Sequence, residues 1–376
     1  MSSLAVVHIV RRYGLVGGME GYVWELTHAL TALGVKVEVI CEQICSEPAA
    51  DIRIHTVTSD KSSSRWKAML GFRSRVDSLI IKQFVDRDII IHSHERTLNH
   101  HVTTFHGPPM QVKTGWWRFS WFSRRIKAWK LMEKDEILGP QVKFVLPVSN
   151  RIKKQLVSLH PEIKNKSIVI AYPGIHRRSF NQTAVIRNGK ADARFVFVGK
   201  EWKRKGLRFA MTVIENYASR FEQCVLEIYG PSKSDLPANI RHHPNVVVKG
   251  WANEIPWDKY DALIHPATNE PFGMVIPEAR SHGVPVLTTN IVGSTELNYC
   301  GVTVLGRSEP IEIWAENLRK ITKTWQNRTP ENKWTWQDLA SQHAHEIYPL
   351  VPIQSNHQDN PSYQHKLPND IGRSED

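Results

Sequence analysis

Two glutamates stand eight residues apart in the run Glu270-Pro271-Phe272-Gly273-Met274-Val275-Ile276-Pro277-Glu278-Ala279. The run follows an apolar stretch that reads as a buried strand, and its pattern predicts a helix from about Met274; a proline is tolerated in a helix's first turn. Glu270 then lies on the approaching loop and Glu278 in the first turn. The amides of Phe272, Gly273, Met274 and Val275 face whatever lies before the helix. Unpaired N–H groups at the positive end of a helix dipole suit a sugar diphosphate. Carboxylates repel phosphate, so both glutamates would accept hydrogen bonds from hydroxyls of a sugar or a ribose. Taken alone, the same residues also fit an acidic cap on a surface helix.

A second cluster is the run Val198-Gly199-Lys200-Glu201-Trp202-Lys203-Arg204-Lys205-Gly206, with four cations in a turn after a strand. Open α/β sheets bind ligands at that edge. Arg204 and Lys205 could neutralise a leaving diphosphate; a solvated basic loop is the competing reading. A third is Gly17-Gly18-Met19-Glu20-Gly21, between the first strand and the first helix. Glycine there lets backbone amides approach a phosphate closely, although the spacing is not that of the dinucleotide fingerprint GxGxxG.

The elements that must position these groups alternate in a βαβ rhythm: Ala5 to Val10, Gly21 to Leu33, Val35 to Cys41, then strands at Asp88 to His92, Val102 to Phe105 and Phe144 to Pro147. The rhythm restarts after Tyr172-Pro173-Gly174, with strands at Arg194 to Val198, Cys224 to Tyr229, Val246 to Lys249, Ala262 to His265 and Pro285 to Thr288. A chain of 376 residues fits two such domains. We expect an N-terminal Rossmann-like domain over 1–170, a second over 171–330, a C-terminal helix at 331–350 packing back on the first, and a disordered tail over 351–376.

With 41% apolar and 23% charged residues the composition is that of a soluble globular protein rather than a disordered or fibrous one. No apolar run reaches a membrane-spanning length, and the first strand breaks into Arg11-Arg12, so it does not read as a signal peptide. Cys41, Cys45, Cys224 and Cys300 lack paired zinc spacing and read as reduced thiols of a cytosolic protein. The formal charge of +12 calls for an acidic partner: nucleic acid, an anionic membrane or a phosphorylated substrate.

In this order and spacing the three clusters resemble the retaining GT-B glycosyltransferases of family four, over roughly residues 4 to 348. The strongest part of the resemblance is the block from Tyr260 to Glu296, where Glu270 and Glu278 form the family's E-x7-E and are followed by Gly283-Val284-Pro285-Val286. It implies an α/β fold of two doubly wound parallel-sheet domains facing across a cleft. The implied activity is transfer of a hexose-type sugar from a nucleoside-diphosphate sugar, such as UDP-glucose, with retention of anomeric configuration. By position, Glu270 would contact hydroxyls of the transferred sugar and Glu278 the nucleotide ribose. The amides of 272–275 would hold sugar and phosphate, and Arg204 and Lys205 match the diphosphate cations. Gly18, beside Gly17, matches the glycine closing from the other domain, and His106, in Thr103-Thr104-Phe105-His106-Gly107, a histidine reaching the donor sugar. Two positions depart: Pro173-Gly174-Ile175-His176 replaces a common Asn-Gly-Ile-Asp, and Lys200 a frequent arginine. No metal or other cofactor is implied.

The stretch from Thr114 to Met132 interleaves Trp116, Trp117, Trp121 and Trp129 with Arg124, Arg125, Lys127 and Lys130. As a helix it would put Phe119, Phe122, Ile126 and Trp129 in one stripe, which suits an interfacial helix on anionic lipid or simple packing on the sheet. Related enzymes acting on membrane lipids carry a similar segment. This points to a saccharide or glycolipid acceptor, such as a lipopolysaccharide core, and to a cytoplasmic protein held peripherally on the inner face of the membrane. No nucleic-acid-binding module accompanies it. Two further patterns imitate metal sites: Asp86-Arg87-Asp88, a DxD run before a strand, and His92-Ser93-His94 with His106, which could converge on zinc and a metal-dependent hydrolysis. The alternative to an enzyme is a catalytically silent protein of the same fold that binds anions or membranes; such a copy would have lost one of Glu270, Glu278, Arg204 or Lys205.

Overall fold

A computed structural model describes residues 4–59, 64–110, 123–176, 192–324 and 330–352. The first domain holds β1 (Ala5–Ile9), β2 (Arg12–Tyr13), α1 (Gly18–Ala32), β3 (Lys36–Cys41), β4 (Gln43–Ile44), β5 (Arg53–Thr56), α2 (Arg65–Gln83), β6 (Ile90–Ser93), β7 (Val102–Phe105), α3 (Arg124–Leu138), β8 (Phe144–Pro147), α4 (Asn150–Leu159) and β9 (Ser167–Ile168). The second holds β10 (Ala193–Val198), α5 (Leu207–Arg220), β11 (Cys224–Tyr229), α6 (Ala238–Arg241), β12 (Val246–Gly250), β13 (Ala262–His265), α7 (Val275–Ser281), β14 (Val286–Thr289), β15 (Val302–Leu305) and α8 (Ile311–Thr324). A last helix, α9 (Trp336–Gln342), follows.

The seven-stranded sheet runs β5-β3-β1-β6-β7-β8-β9 and the six-stranded sheet β12-β11-β10-β13-β14-β15, every pair parallel. Both are doubly wound, and the strand residues show why. On β1, Val6 joins the core beneath α1 while Val7 and Ile9 join the core beneath α2. On β10, Phe195 and Phe197 pack with α5 and α8, while Val196 packs with α7. A strand apolar on both faces needs helices on both, which a parallel sheet supplies. The expected α/β GT-B architecture is therefore what the chain forms.

The short strands β5, β9 and β15 are absent from the sequence reading. Each lies toward a sheet edge and carries few buried residues, so its hydrophobic pattern is faint. The segment 330–352 returns to the first domain: Trp336, Leu339, Ala340, Ile347 and Tyr348 enter the core built by Tyr22, Val23, Leu26 and Leu30 of α1. Thr335 caps α9 reciprocally with Asp338. No helix among the described residues is long and apolar enough to cross a membrane. All four cysteines are free thiols. The tail from 353 onward lies outside the described residues.

Candidate active site

In each sheet the order reverses between the first and fourth strands, at β1/β6 and at β10/β13, and the loops leaving the carboxyl ends there frame a crevice. In the second domain those loops carry the basic turn (199–206) and the approach to α7 (266–274). They are bolted together: Arg204 O accepts from Thr268 N and from Thr268 Oγ1, both at 2.9 Å, and the Arg204 guanidinium donates to Asn269 O at 2.5 Å. Gly206 lets them meet. Its φ is +83°, and a Cβ there would stand 2.0 Å from Pro266 O.

Glu270 lies at the centre of this joint and is 7% exposed. Arg204 Nη1 donates to its Oε2 at 2.8 Å, with Lys205 Nζ at 3.6 Å and His265 Nε2 at 3.8 Å. Burial alone would push the carboxyl up, but His265, Lys205 and Arg204 outweigh it and hold it at about 2. Glu270 is thus a fixed anion. Arg204 is less free than its sequence position implies, because Glu201 Oε2 takes its Nε at 3.0 Å and Nη2 at 2.5 Å. His265, on the last residue of β13, was not singled out from sequence; a strand-end polar residue facing the ligand edge is the signal that finds it.

The helix begins at Val275 with Met274 at its cap, and Glu278 lies in its first turn. With only seven residues, α7 contributes a modest dipole. Among the described residues, the amides of Phe272, Gly273, Met274 and Val275 donate to no acceptor. The Glu278 carboxylate likewise has no hydrogen-bond or ion-pair partner among them; burial pushes its pKa up, with Lys205 pulling the other way. Side chains of the same segment have a different duty. Phe272 is buried in the core of the first domain beside Phe105, Val145 and Ile152, and Met274 packs there too. Ser149 Oγ donates to Pro271 O at 2.7 Å, and Glu296 accepts the α4 amides of Asn150 at 2.7 Å and Arg151 at 2.8 Å. A carboxylate of one domain thus caps a helix of the other. Neither Ser149 nor Glu296 stood out in sequence, since each is defined by a partner more than a hundred residues away.

On the first domain, Gly17 and Gly18 are exposed at the start of α1, and a Cβ on Gly18 would meet nothing within 4 Å. His106 is half-buried at the carboxyl end of β7. With Met19, Glu20, Glu95 and Arg96 it lines a cavity of ≈ 680 Å³ that includes none of Glu270, Glu278, Arg204 or Lys205. The structure therefore gathers the donor-side residues into one cluster and Gly18 and His106 around another. Burial raises Glu95 to about 7 and Glu136 to about 8 in this cavity, against the pull of nearby Arg11 and Arg96.

The two metal look-alikes resolve differently. Asp86 and Asp88 are exposed in the turn before β6, at the sheet end remote from the crevice, and Arg87 between them pairs with Glu38. His94 Nδ1 lies 3.0 Å from His106 Nε2, but His92 is engaged with Tyr348 Oη and Thr104 Oγ1, both at 2.8 Å. The set of imidazoles whose nitrogens do lie within 4.8 Å of one another is His8, His92 and His94. Of the aromatic-basic segment, Trp116, Trp117 and Trp121 lie outside the described residues. Arg124, Arg125 and Lys127 are exposed on α3, while Trp129 packs inward with Arg96 over its ring at 5.0 Å.

Residues 16–178 match Glycosyltransferase Family 4, and residues 192–323 match Glycosyl transferases group 1. The chain carries the two domains of a GT-B glycosyltransferase, in that order. A 41.2 kDa protein of the cps region of Klebsiella pneumoniae is 32% identical over 118 residues, a match spanning 30% of this chain and 32% of that protein. Glycogen synthase of Mycobacterium tuberculosis is 22% identical over 334 residues, 77% of this chain and 78% of its own. Among solved structures, WaaG, a glycosyltransferase involved in lipopolysaccharide biosynthesis, superposes with a TM-score of 0.69 at 20% identity, covering 92% of this chain and 97% of its own. HepE of Anabaena, in complex with UDP and glucose, gives 0.59 at 15% identity, covering 90% and 94%. At these identities the two structures speak for the fold.

Proposed function

We propose that the protein transfers a hexose-type sugar, with retention, from a nucleoside-diphosphate sugar to a saccharide or glycolipid acceptor of the lipopolysaccharide-core kind. UDP-glucose is the first donor to try, given UDP and glucose on HepE and the role printed for WaaG. The observation that carries the reading is the second-domain crevice: a buried Glu270, ionised at neutral pH, wedged among Arg204, Lys205 and His265, beside four amides that have no acceptor among the described residues. Such a carboxylate is built to accept hydroxyls, and such amides to hold phosphate oxygens.

In this scheme Glu270 accepts from hydroxyls of the transferred sugar and Glu278 from the ribose. Lys205, with the 272–275 amides and Arg204, stabilises negative charge as the anomeric carbon–oxygen bond breaks and its electron pair leaves with the diphosphate. The acceptor hydroxyl attacks from the same face and passes its proton to the departing phosphate oxygen. His106 and Gly18 approach from the first domain as the cleft closes. No step calls for a metal or another cofactor, and none for nucleic acid. Exposed Arg124, Arg125 and Lys127 support peripheral contact with anionic lipid at the cytoplasmic face of the membrane.

The test is chelator-treated protein with a panel of labelled nucleotide sugars, with and without a lipopolysaccharide-core acceptor, the product anomer being assigned by NMR. Transfer, or slow hydrolysis of one donor, is expected. Absence of both, with Glu270→Ala leaving donor affinity unchanged, would sink the proposal in favour of a catalytically silent fold.

A further inference from the structure

The three basic groups around Glu270 converge on one oxygen. Arg204 Nη1 stands 2.8 Å, Lys205 Nζ 3.6 Å and His265 Nε2 3.8 Å from Oε2, while Oε1 meets no donor among the described residues. Arg204 and Lys205 belong to the basic turn. Lys205 lies across Gly199, where a Cβ would stand 2.0 Å from its Cδ, and its ammonium makes no other ion pair among the described residues. His265 is held differently. It closes β13, pairs with Thr288 of β14, and its carbonyl accepts from Thr288 Oγ1 and Ala267 N, both at 2.9 Å. Its side chain is fully buried, yet neither ring nitrogen has a hydrogen bond among the described residues. A buried imidazole in that condition is uncommon, because its N–H forfeits the hydrogen bond it had in water. The one anion it faces is Glu270, just beyond hydrogen-bonding range.

The surrounding charges keep the ring neutral in the free protein. Burial pushes its pKa down, and Lys205 and Arg204 push the same way against the pull of Glu270. Those are the charged groups that face it among the described residues: Glu270 from the approach to α7, Lys205 and Arg204 from the basic turn. From β14 it meets the uncharged Thr288. A diphosphate at the basic turn brings negative charge of its own and competes with Glu270 for both cations. Every contact they give up leaves a carboxylate that is 7% exposed short of countercharge, which is costly. The same event offsets the two positive charges that disfavour a proton on His265.

We propose that His265 is a positioning residue for Glu270: as a diphosphate draws Lys205 and Arg204 toward itself, His265 binds a proton from solvent and takes over Oε2, leaving Oε1 for a sugar hydroxyl. The strand-anchored imidazole replaces the loop-borne cations, so the carboxylate keeps its charge and its place while they serve the phosphates. Diphosphate and proton then favour one another, each raising the affinity for the other by the same factor. Because the complex holds the proton more tightly than the free protein, this help is fully present at low pH and is lost as pH rises through the pKa of His265 in the complex. The role rests on the donor reading above, since a diphosphate must occupy the basic turn.

The test is calorimetric titration of the full-length protein with UDP, ADP and GDP, the tightest binder being carried through a series from pH 6 to pH 8.5 against wild type, His265→Asn and His265→Gln. Taking the ratio of wild-type to variant affinity cancels the titration of the nucleotide's own phosphate. The ratio should grow by about tenfold as pH falls across that range, the consequence of raising one pKa by about one unit on binding. A second measurement needs no variant to fold: in the ¹H–¹⁵N long-range spectrum of histidine-labelled wild type at pH 6.5, one imidazole should pass from the neutral to the imidazolium pattern as the nucleotide saturates. That change should be missing from whichever variant folds. A nucleotide that binds with a pH-independent ratio, a spectrum without the new imidazolium, or an imidazolium that persists in the variants would each overturn the role of His265 alone. Failure of all three nucleoside diphosphates to bind would overturn the donor reading, and this role with it.

Discussion

Replacing Glu270 with glutamine keeps the shape of the side chain and removes its charge, which tests whether the crevice is built around a fixed anion. The carboxyl is held at about 2 against an ordinary 4.5, and a displacement of that size corresponds to about 3 kcal/mol of folding free energy. Because the folded value is depressed, this contribution is complete above about pH 5 and is lost as pH falls through 4.5 toward 2. Glu270→Gln should therefore lower the stability of the second domain by on the order of 3 kcal/mol at neutral pH. The difference from wild type should have shrunk below half by about pH 3. Urea melts followed by tryptophan fluorescence, at a series of pH values, read this directly. Binding adds a second arm. Arg204 and Lys205 lose the anion that occupies them, so free UDP should bind at least as tightly to the variant, while a UDP-sugar loses the acceptor for its hydroxyls and gains nothing over UDP. A stability difference that ignores pH, or UDP affinity that collapses with Glu270→Gln, would refute the assignment of cations to phosphate and carboxylate to sugar.

Glu278→Ala should weaken nucleotide binding by about tenfold in calorimetry without lowering the melting temperature, since burial disfavours the ionised carboxylate and no hydrogen bond or ion pair to it exists among the described residues. Gly206→Ala forces a side chain into φ +83° and toward Pro266 O, and should cost about 1–3 kcal/mol in thermal or chemical unfolding and open the Arg204–Thr268 joint. Reversing Arg124 and Arg125 to glutamate should reduce co-sedimentation with anionic vesicles by tenfold or more at low salt, at about 1 kcal/mol for each cation lost, with no effect on neutral vesicles.

The positions of the inner strands along the chain were readable from sequence because a strand buried on two faces is an uninterrupted apolar run, as Phe195-Val196-Phe197 shows. The clustering of Glu270 with Arg204 and Lys205 was likewise readable, each lying just past such a run. What escaped were features created by folding across long separations. Arg204 looked free in sequence, but the fold hands it to Glu270 and Glu201. Phe272 looked like part of a ligand loop, yet its ring belongs to the core of the other domain. His8 looked like an interruption in an apolar strand, which gave no hint of Tyr348 some 340 residues later.

These long-range contacts divide according to what a closing motion would do to them. The chain crosses between domains at 169–176 and again near 330–335, and the crossings are tied to each other: Ile175 and Thr335 pair, Trp334 Nε1 donates to Tyr172 O at 2.8 Å, and a Cβ on Gly174 would strike Trp336 N. These two adjacent, mutually bonded crossings form one tie between the domains. His8, His92, His94 and His106, with Tyr348 from beyond the second crossing, lie wholly on the first-domain side of it, so a rotation about it leaves their contacts intact. Phe272, Ser149 and Glu296 bridge the cleft instead, and each must slide or hold as the cleft changes. Phe272 is joined by two peptide bonds' length of chain to Glu270 on one side and borders the unpartnered amides on the other. Motion of the domains is thereby coupled to the segment proposed to hold the sugar and phosphate, while the group proposed to meet them from the opposite side moves as a rigid part of its own core.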